Sequence, residues 1–482
     1  MDKEDWRAYT IEAFHELRIE VGPKGSVTVV LTKGQAEVFG SELAVGAEYV
    51  LAPLSLIAVF SFAGGSVKVK GVALSEYVGS ETPASQVLNL HLALEAVRRD
   101  ARAFSTSTTE LLGPKVLILG PTDCGKTSLA KTLLNYSIKM GHAQLYADID
   151  IQEASLSLPG TLAASVFSRA IDIEEGMGGT LVSSGTSPMV FYYGYNEPSE
   201  KDKLYKNQVE RLAAVVEAKL KSDAGVRCAG IIIDTPAQFA EPAGQPLLSH
   251  AIDSFKPTVI VVIGHERLYS DLARRFSGSN SGGGGGGGSS GNSEVVVIKI
   301  AKSGGVVSRD KAYRRALQSA KIREYFYGTT KFPLSPFSNI VSFHDIHVRR
   351  VGESTAAPSS ALPIGVDRKA EQTKIVKVEV GDILLNSILA VSHADRLDAL
   401  APVAGAVSAP ALTLEQETAL ILEKNIAGFI YVSQVVGGGD DEKSKAAAAA
   451  GKKKTVTVLT PNPGRLPKKY LVMGALKWVE TI

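Results

Sequence analysis

The chain has 482 residues, too many for one hydrophobic core, and this length predicts two to four domains. Hydrophobic residues make up 45% of the chain and charged residues 21%, the balance of ordinary globular protein with ample apolar surface to bury. The formal charge of +2 argues neither for nor against nucleic acid, so any polyanion site has to be local.

Cysteines and hydrophobic runs restrict where the protein works. Cys124 and Cys228 are the only cysteines and lack the spacing of a metal site, so we expect a reducing compartment. Residues 1–5 are charged and unlike a signal peptide, and no run of about 18 apolar residues predicts a membrane span. We therefore expect a soluble protein of the cytosol or nucleus, without a membrane partner.

Residues 1–104 predict a small N-terminal β domain followed by a connecting helix. Glycine-containing turns separate four segments with the pattern of antiparallel strands, at 27–31, 36–39, 54–62 and 67–70. Residues 85–104 have helical periodicity, with Leu92 and Leu94 among the apolar positions and Arg98 among the polar ones. The Ser/Thr run at 105–109 is expected to be a linker.

Residues 105–330 predict a P-loop α/β domain. Apolar runs that suit buried parallel strands alternate with helical patterns such as 127–140 and 202–222. The runs lie at 116–119, 144–149, 230–233, 258–263 and 295–300. The alternation predicts a doubly wound, mostly parallel sheet with its ligand at the carboxyl ends of the strands. Residues 277–293 include an unbroken glycine run and are expected to form a disordered loop.

Residues 331–482 predict a C-terminal, mainly β domain of α+β class, whose sequence discloses no chemistry. Its strand-like segments are 375–380, 383–391, 428–436 and 456–460. The Pro/Ser/Ala-rich residues 354–362 and the low-complexity insertion 437–454 are expected to be flexible. The insertion carries three lysines at 452–454, which read either as a solvated loop, the favoured interpretation, or as a nuclear address.

The strongest motif is GPTDCGKT at 120–127, a complete G-x-x-x-x-G-K-[ST] phosphate loop between a predicted strand and a predicted helix. Its glycines allow the main chain to approach a triphosphate, and the helix adds the positive end of its dipole. Lys126 can reach the β- and γ-phosphates, and the Thr127 hydroxyl can bind Mg²⁺. The predicted nucleotide-binding residues here are Gly120, Thr122, Asp123, Cys124, Gly125, Lys126, Thr127 and Ser128.

Two acidic segments follow predicted strands. Asp150 is placed to take a proton from an attacking hydroxyl or to hold Mg²⁺, although a turn cap is the alternative, and Asp148 is expected to be structural. Asp234 ends an apolar run like a Walker B carboxylate and is a further candidate metal ligand beside Thr127 and Asp150. The D-x-x-G and N-K-x-D motifs of GTPases are missing, which favours adenine as the base.

Residues 302–315 combine a glycine hinge with a basic helical pattern, and we call them the lid segment. Such a segment can close over a triphosphate, with Arg309 and Arg314 neutralising charge on the transferred group. Five residues correspond to about 140° around a helix, so both arginines can reach one phosphate only if Arg309 precedes the helix. A solvated basic face is the alternative.

Several motifs in order resemble the Clp subunit of the pre-mRNA cleavage and polyadenylation factor (cleavage factor IA), a polynucleotide 5′-hydroxyl kinase-like family. Besides the phosphate loop they are ELR at 16–18, AEVFGSEL at 36–43, LLNY at 133–136, SLPGT at 157–161, ERLY at 266–269, KSGGVV at 302–307 and IREYFYG at 322–328. The resemblance covers nearly all of the chain outside the low-complexity insertions.

The resemblance implies the three-domain architecture already predicted, with bound ATP and Mg²⁺ and a nuclear role in 3′-end processing. It implies that Glu16 contacts the adenine and that Leu56 occupies a second base-contacting position, where animal members have a basic residue. Arg309 and Arg314 match the lid arginines of active kinases. The implied partners are a scaffold subunit carrying a polymerase C-terminal-domain-interacting domain and other processing subunits, with RNA as a further candidate.

The chain departs from active members at two positions on the side of the site that would bind the acceptor RNA, which we call the acceptor side. With these departures the chain resembles the fungal type of subunit, in which ATP is held and kinase activity is in question. Gln152-Glu153 stands where active members have Gly-Gln, which adds an acid near the γ-phosphate. Gln238 replaces a tryptophan that stacks on the RNA base, with the adjacent Phe239 as a conceivable substitute. We therefore expect an ATP-binding assembly subunit without turnover. The alternative is an active RNA 5′-hydroxyl kinase that uses Asp150, Lys126, Arg309 and Arg314.

Overall fold

The computed structural model describes residues 6–103, 111–277, 295–351, 373, 375–379, 381–395, 413–436, 454–464, 466 and 469–480. The predicted linker at 105–109, the glycine run at 282–288, the 354–362 segment and the lysines at 452 and 453 lie outside these residues, whereas Lys454 is described and exposed. The chain divides into two compact units. The first unit comprises Met1–Asp150, Ala164–Pro188 and Ala213–Leu317, and the second comprises Ile151–Ala163, Met189–Leu212 and Gln318–Ile482.

The first unit begins with the predicted β domain, which is confirmed as two antiparallel sheets. Its strands are β1 (Arg7–Ile11), β2 (His15–Glu20), β3 (Val27–Gly34), β4 (Glu37–Val38), β5 (Ser41–Glu42), β6 (Glu48–Leu51), β7 (Leu56–Ser61), β8 (Gly65–Gly71) and β9 (Ser75–Gly79). The sheet orders are β1-β8-β3-β6 and β5-β4-β7-β2-β9. Alternate residues such as Val27 and Val29 on β3 and Leu17 on β2 are buried in one core shared by both sheets.

Helix α1 (Ala84–Ala103) follows this domain and buries one face, which includes Val87, Leu90 and Leu94. Two details of the predicted face are wrong. Leu92 is 56% exposed, whereas Arg98 is fully buried.

The central strands are β10 (Lys115–Leu119), β11 (Gln144–Asp148), β12 (Thr161–Phe167), β13 (Met189–Tyr192), β14 (Ile231–Asp234), β15 (Val259–Ile263) and β16 (Val296–Ile300). Their sheet order is β13-β12-β11-β14-β10-β15-β16. Four pairings, β11 with β14, β14 with β10, β10 with β15 and β15 with β16, are parallel, as the alternating pattern predicted. Strand β10 is buried along its whole length, since neighbours cover both its edges and both its faces.

Seven helices accompany these strands within the described part of the chain. They are α2 (Lys126–Lys139), α3 (Gly176–Ser184), α4 (Asp202–Ser222), α5 (Ala224–Ala229), α6 (Gln245–Phe255), α7 (Glu266–Ser277) and α8 (Lys311–Tyr327). Because β10 runs directly into α2, residues 120–125 form the turn at the carboxyl end of a central strand.

Helix α2 fixes the N-terminal β domain against the central sheet inside the first unit. The Asn135 amide donates to the carbonyl of Phe39 (2.8 Å) and accepts from the backbone amide of Ile171 (2.8 Å). The Tyr136 hydroxyl donates to the buried Glu37 carboxylate. The LLNY motif at 133–136 therefore works as a domain contact, and this contact determines where β2 lies relative to the phosphate loop.

The second unit contains the predicted β-rich C-terminal domain, which is confirmed. Its elements are β17 (Phe337–Ser342), β18 (His347–Val351), β19 (Ile375–Lys377), β20 (Ser387–Asp395), α9 (Leu414–Glu423), β21 (Ile426–Val436), β22 (Thr455–Thr460) and β23 (Lys469–Lys477). One sheet holds the strands in the order β17-β22-β21-β20-β23-β18-β19. Helix α9 begins with a capping box between Thr413 and Gln416. No helix within the described ranges is long and apolar enough to cross a membrane.

Arg98 is the largest polar group in the core of the first unit. Its Nε donates to the Ala229 carbonyl (3.0 Å) and its terminal nitrogen to Gln144 Oε1 (3.1 Å), and it forms an ion pair with Glu95 at 3.5 Å. Burial lowers the pKa of Arg98 to about 10, although the Glu95 carboxylate opposes the shift. This arginine ties α1 to the strand that leads to Asp148 and Asp150.

We expect Arg98→Ala to destabilise the protein by about 3 kcal/mol, because acceptors that Arg98 satisfies are left in the core. Arg99→Ala changes the neighbouring, exposed arginine of the same helix and is the matched control. Thermal unfolding of the two variants measures the difference. Equal unfolding temperatures for both would contradict the role of Arg98.

Candidate functional site

The phosphate loop (residues 120–127) joins β10 to α2, and its glycines are sterically required. A Cβ on Gly120 would lie 2.6 Å from Cys124 Sγ and 3.0 Å from the Ile263 carbonyl oxygen. Gly125 precedes α2 with φ +93°, a conformation that side chains disfavour. The N-terminus of α2 has no side-chain cap, so its first amides are suited to bind an anion.

The predicted loop residues differ in exposure. Cys124 is 3% exposed, and burial raises the pKa of its thiol, which keeps it protonated. Thr122 is exposed, and Ser128 is half-buried in the first turn of α2. Lys126 is 8% exposed, and its Nζ donates to the carbonyls of Gly120 (3.2 Å) and Pro121 (3.0 Å). The ammonium group therefore lies at the phosphate loop, beside the amides that are suited to bind an anion.

Thr127 and Asp234, two predicted metal ligands, are brought together. The Thr127 hydroxyl donates to Asp234 Oδ2 at 2.5 Å. The same oxygen accepts the Tyr146 hydroxyl at 3.3 Å, while Asp234 Oδ1 accepts the backbone amide of Thr235 at 3.0 Å. Tyr146 was missed by sequence reasoning. The available signal was its position on β11 two residues before Asp148, on the same face of the strand.

Asp148 and Asp150 are both buried at the end of β11. The parallel register sets Asp148 opposite Asp234, and Asp148 Oδ1 accepts the backbone amide of Asp150 at 2.9 Å. Asp148 thus fixes the turn that carries Asp150, which is 6% exposed. Across the described ranges, no three His, Cys, Asp or Glu side chains form a ready-made metal cluster. A cation here would need ligand oxygens from hydroxyl groups and phosphates in addition to carboxylates.

The lid arginines converge on the phosphate loop. Helix α8 begins at Lys311, so Arg309 precedes it, the arrangement that the spacing required. Arg309 Nε donates to Asp123 Oδ1 (2.8 Å), and an Arg314 terminal nitrogen donates to Asp123 Oδ2 (2.6 Å). Burial opposes the ionisation of Asp123, but the bonds from Arg309 and Arg314 outweigh it and hold the pKa of this carboxyl below its ordinary value.

Glu16 is held by groups from β2 and the lid hinge. Its Oε1 accepts Arg18 Nε (2.8 Å) and the Ser303 hydroxyl (3.2 Å). The Arg18 guanidinium is wedged between two glycines, since added Cβ atoms would lie 2.8 Å from it at Gly79 and 2.3 Å from its Nε at Gly305. The N-terminal β domain therefore presents a buried carboxylate directly at the hinge of the lid segment.

Leu56 lies further along the same sheet. It pairs with Glu20, four residues from Glu16 on β2, which corresponds to about 13 Å along the strand. Two residues before Leu56, the Leu54 carbonyl accepts the hydroxyl of Tyr313 in the lid segment at 2.5 Å. The loop before β7 is thus attached to α8, and Leu56 and Glu16 are separate positions.

The acceptor side differs from expectation at one residue. Phe239 is fully buried, so its ring is not accessible to a base, and it does not provide the conceivable substitute for the tryptophan. Gln238 lies in the short 3-10 turn Ala237–Ala240, where its Oε1 is buried and has no hydrogen-bond partner within the described ranges. Glu153, in the second unit, accepts the Lys321 ammonium at its backbone carbonyl.

Comparison with protein families gives three consecutive matches. Residues 10–101 match the N-terminal beta-sandwich domain of polyadenylation factor, residues 120–328 match the mRNA cleavage and polyadenylation factor CLP1 P-loop, and residues 334–480 match the pre-mRNA cleavage complex II protein Clp1. These ranges span nearly the whole chain, including the site described above.

Curated relatives from three kingdoms align over most of their length. "Protein CLP1 homolog" of Arabidopsis thaliana is 35% identical over 98% of this chain and 94% of its own. "mRNA cleavage and polyadenylation factor clp1" of Botryotinia fuckeliana is 35% identical over 89% and 87%. "Polyribonucleotide 5'-hydroxyl-kinase Clp1" of Macaca fascicularis is 32% identical over 99% and 98%.

Two solved structures have the same fold. One, of Clp1p with Pcf11p, concerns their extended interface and ATP loss in a glycine-to-arginine mutant, and it matches with a TM-score of 0.78, 24% identity and coverage of 99% and 100%. The wild-type Clp1p–Pcf11p complex matches with a TM-score of 0.75, 24% identity and coverage of 99% of each chain. On the sequence matches, the chain belongs to the Clp1 family of mRNA cleavage and polyadenylation factors.

Proposed function

We propose that this protein is the ATP-binding assembly subunit of a nuclear pre-mRNA 3′-end cleavage factor and has little or no kinase turnover. The observation that carries the proposal is an asymmetry in the first unit. The nucleotide side, from Gly120 to the lid arginines, is complete, whereas the acceptor side has Gln238 in a tight turn and Phe239 in the core.

The residues present fit ATP with Mg²⁺. The loop glycines and the uncapped start of α2 offer amides to the phosphates, and Lys126 can exchange its two loop carbonyls for the β- and γ-phosphates. Thr127 and Asp234 supply adjacent oxygens for Mg²⁺, with Asp150 as a further ligand. The buried Glu16 carboxylate is an acceptor suited to the amino group of adenine, and Leu56 can pack against the base.

Tightly held ATP would act as a structural part. A ligand at about 1,000 times its dissociation constant stabilises the folded state by about 4 kcal/mol. The solved structures matched by this fold contain Clp1p and Pcf11p. We therefore propose a scaffold subunit with a polymerase C-terminal-domain-interacting domain as the main partner, together with other 3′-end processing subunits.

The residues on the acceptor side are an argument that kinase turnover is weak. Stacking of one base on an aromatic ring contributes about 1–3 kcal/mol, and Gln238 offers no ring for it. The buried Phe239 does not supply a substitute. RNA that entered this side would therefore be held one to two orders of magnitude more weakly than on an aromatic platform.

The second candidate function is transfer of the γ-phosphate to a 5′-hydroxyl RNA end. It is favoured by Asp150 at the end of β11, by Lys126 and by the converging Arg309 and Arg314. In that reaction Asp150 would accept the proton of the attacking hydroxyl, while the three cations stabilise charge on the phosphoryl group. A relative of similar length is named as such a kinase.

One experiment separates the two functions. The purified full chain is denatured and its nucleotide identified, and a second sample is incubated with γ-labelled ATP and a 5′-hydroxyl oligoribonucleotide. We expect co-purified ATP and no labelled RNA. Labelled RNA that disappears in Lys126→Ala would establish the kinase instead, and protein that neither carries nor takes up ATP would overturn both functions.

We expect Thr127→Val to weaken ATP binding about tenfold in the presence of Mg²⁺, because the isosteric side chain has no hydroxyl for the cation. Thr132→Val is the matched control, since the Thr132 hydroxyl donates to the Ser128 carbonyl of the same helix. Titration with a fluorescent ATP analogue measures both variants. The difference should vanish in EDTA, and a difference that survives EDTA would argue against Thr127 as a metal ligand.

We expect Gly120→Ala to weaken ATP binding at least about tenfold, because its methyl group displaces Cys124 and the Ile263 carbonyl and reshapes the loop. Gly225→Ala is the control, since the nearest atom to its added Cβ is Asp223 Oδ1 at 3.4 Å. The same titration applies. Equal affinities in the two variants would show that the loop tolerates a side chain at residue 120.

A further inference from the structure

We propose that Asp123 is the positioning residue that latches the lid segment onto the phosphate loop. The latch is a property of the protein alone. Its effect on nucleotide release rests on the proposed ATP site.

The contacts bind two parts of the lid segment through one carboxylate. Asp123 Oδ1 accepts Arg309 Nε (2.8 Å), and Asp123 Oδ2 accepts both the backbone amide of Arg309 (2.9 Å) and a terminal nitrogen of Arg314 (2.6 Å). Arg314 Nε in turn donates to the Arg309 carbonyl at 3.2 Å. Main chain and side chains before and within α8 are thus fixed to a single point of the loop.

Burial makes these bonds strong. The side chain of Asp123 is 7% exposed, and those of Arg309 and Arg314 are 18% and 26% exposed. Charge-assisted hydrogen bonds in such partly dry surroundings are about twice as strong as neutral ones. Opening the latch would separate the buried Asp123 carboxylate from both guanidinium groups, so we expect the contact to persist in solution.

The cluster holds two cations at the phosphate loop. Asp123 carries one negative charge, and Arg309 and Arg314 carry one positive charge each. A phosphate that approaches the loop therefore meets two guanidinium groups that Asp123 has already oriented. Arginines that are already oriented lose less entropy on binding, which slows the release of a bound nucleotide.

The backbone of Asp123 allows a clean substitution. Its φ of +51° lies in the left-handed region, which asparagine also tolerates better than most residues. Asp123→Asn therefore keeps the loop conformation, removes the charge and turns an amide NH₂ toward arginine donors. Arg314→Gln cuts the latch from the other side and leaves the phosphate loop unchanged.

Asp310→Asn is the matched control. Asp310 is exposed, lies next to Arg309, and accepts the backbone amide of Tyr313 at 2.7 Å through a bond that asparagine can also accept. The control removes the same charge from the same segment and leaves the latch intact.

The first measurement is hydrogen–deuterium exchange of the nucleotide-free full chain, read on peptides that cover residues 305–315. We expect exchange to become about tenfold faster in Asp123→Asn and in Arg314→Gln, because each variant loses charge-assisted bonds to the segment. Asp310→Asn should exchange like the unchanged protein. Unchanged exchange in both latch variants, or equal acceleration in the control, would overturn the proposal.

The second measurement is the rate of ATP release from the full chain, followed with a fluorescent analogue. We expect about tenfold faster release in Asp123→Asn and in Arg314→Gln, with no further increase when the two are combined, since both cut the same contact. Additive effects would overturn the positioning role. A chain that bound no ATP would refute the proposed function, while the exchange measurement would still decide the latch.

Discussion

The site depends on the burial of β10 between β14 and β15. Parallel pairing on both sides of one apolar strand fixes the point where the chain leaves the sheet, and the turn at that point is the phosphate loop. The pairing of β10 with β14 sets Ile118 opposite Asp234, so Thr127, at the start of the helix that follows β10, meets Asp234 within hydrogen-bond distance. A hydroxyl and a carboxylate far apart in the chain thus become neighbours through strand order alone.

Two further contacts complete the site around this centre. Asn135 and Tyr136 attach the N-terminal β domain to α2, which brings Glu16 to the hinge of the lid segment. Asp123 attaches the other end of that segment to the loop. The nucleotide side is therefore assembled from three stretches of sequence, and each of them is held by a buried polar group with a defined partner.

Sequence reasoning predicted those features that local pattern encodes. The strand, glycine turn and helix around residues 115–129 share one pattern, and the alternation of apolar runs and helices determines a parallel sheet. The requirement that Arg309 precede the helix followed from helical geometry and is met by the start of α8 at Lys311.

Features that depend on tertiary contact could not be predicted in this way. Arg98 occupies a position that periodicity assigns to solvent, because Gln144 and the Ala229 carbonyl satisfy it in the core. Phe239 is buried within the short turn after β14, and Tyr146 contributes a hydroxyl from within a fully buried strand. The convergence of both lid arginines on Asp123 joins residues 186 and 191 positions apart, a separation that no local pattern encodes.

The packing of the Arg18 guanidinium between two glycines restricts which amino acids can replace those glycines. Its two flanking positions, Gly79 on β9 and Gly305 in the hinge, have no room for any β-carbon while the arginine stays in place. Substitution at either glycine would dislodge Arg18 and with it the orientation of Glu16. Gly79, Gly305 and Arg18 are therefore coupled, and a side chain at either glycine would have to be accompanied by a new way of positioning Glu16.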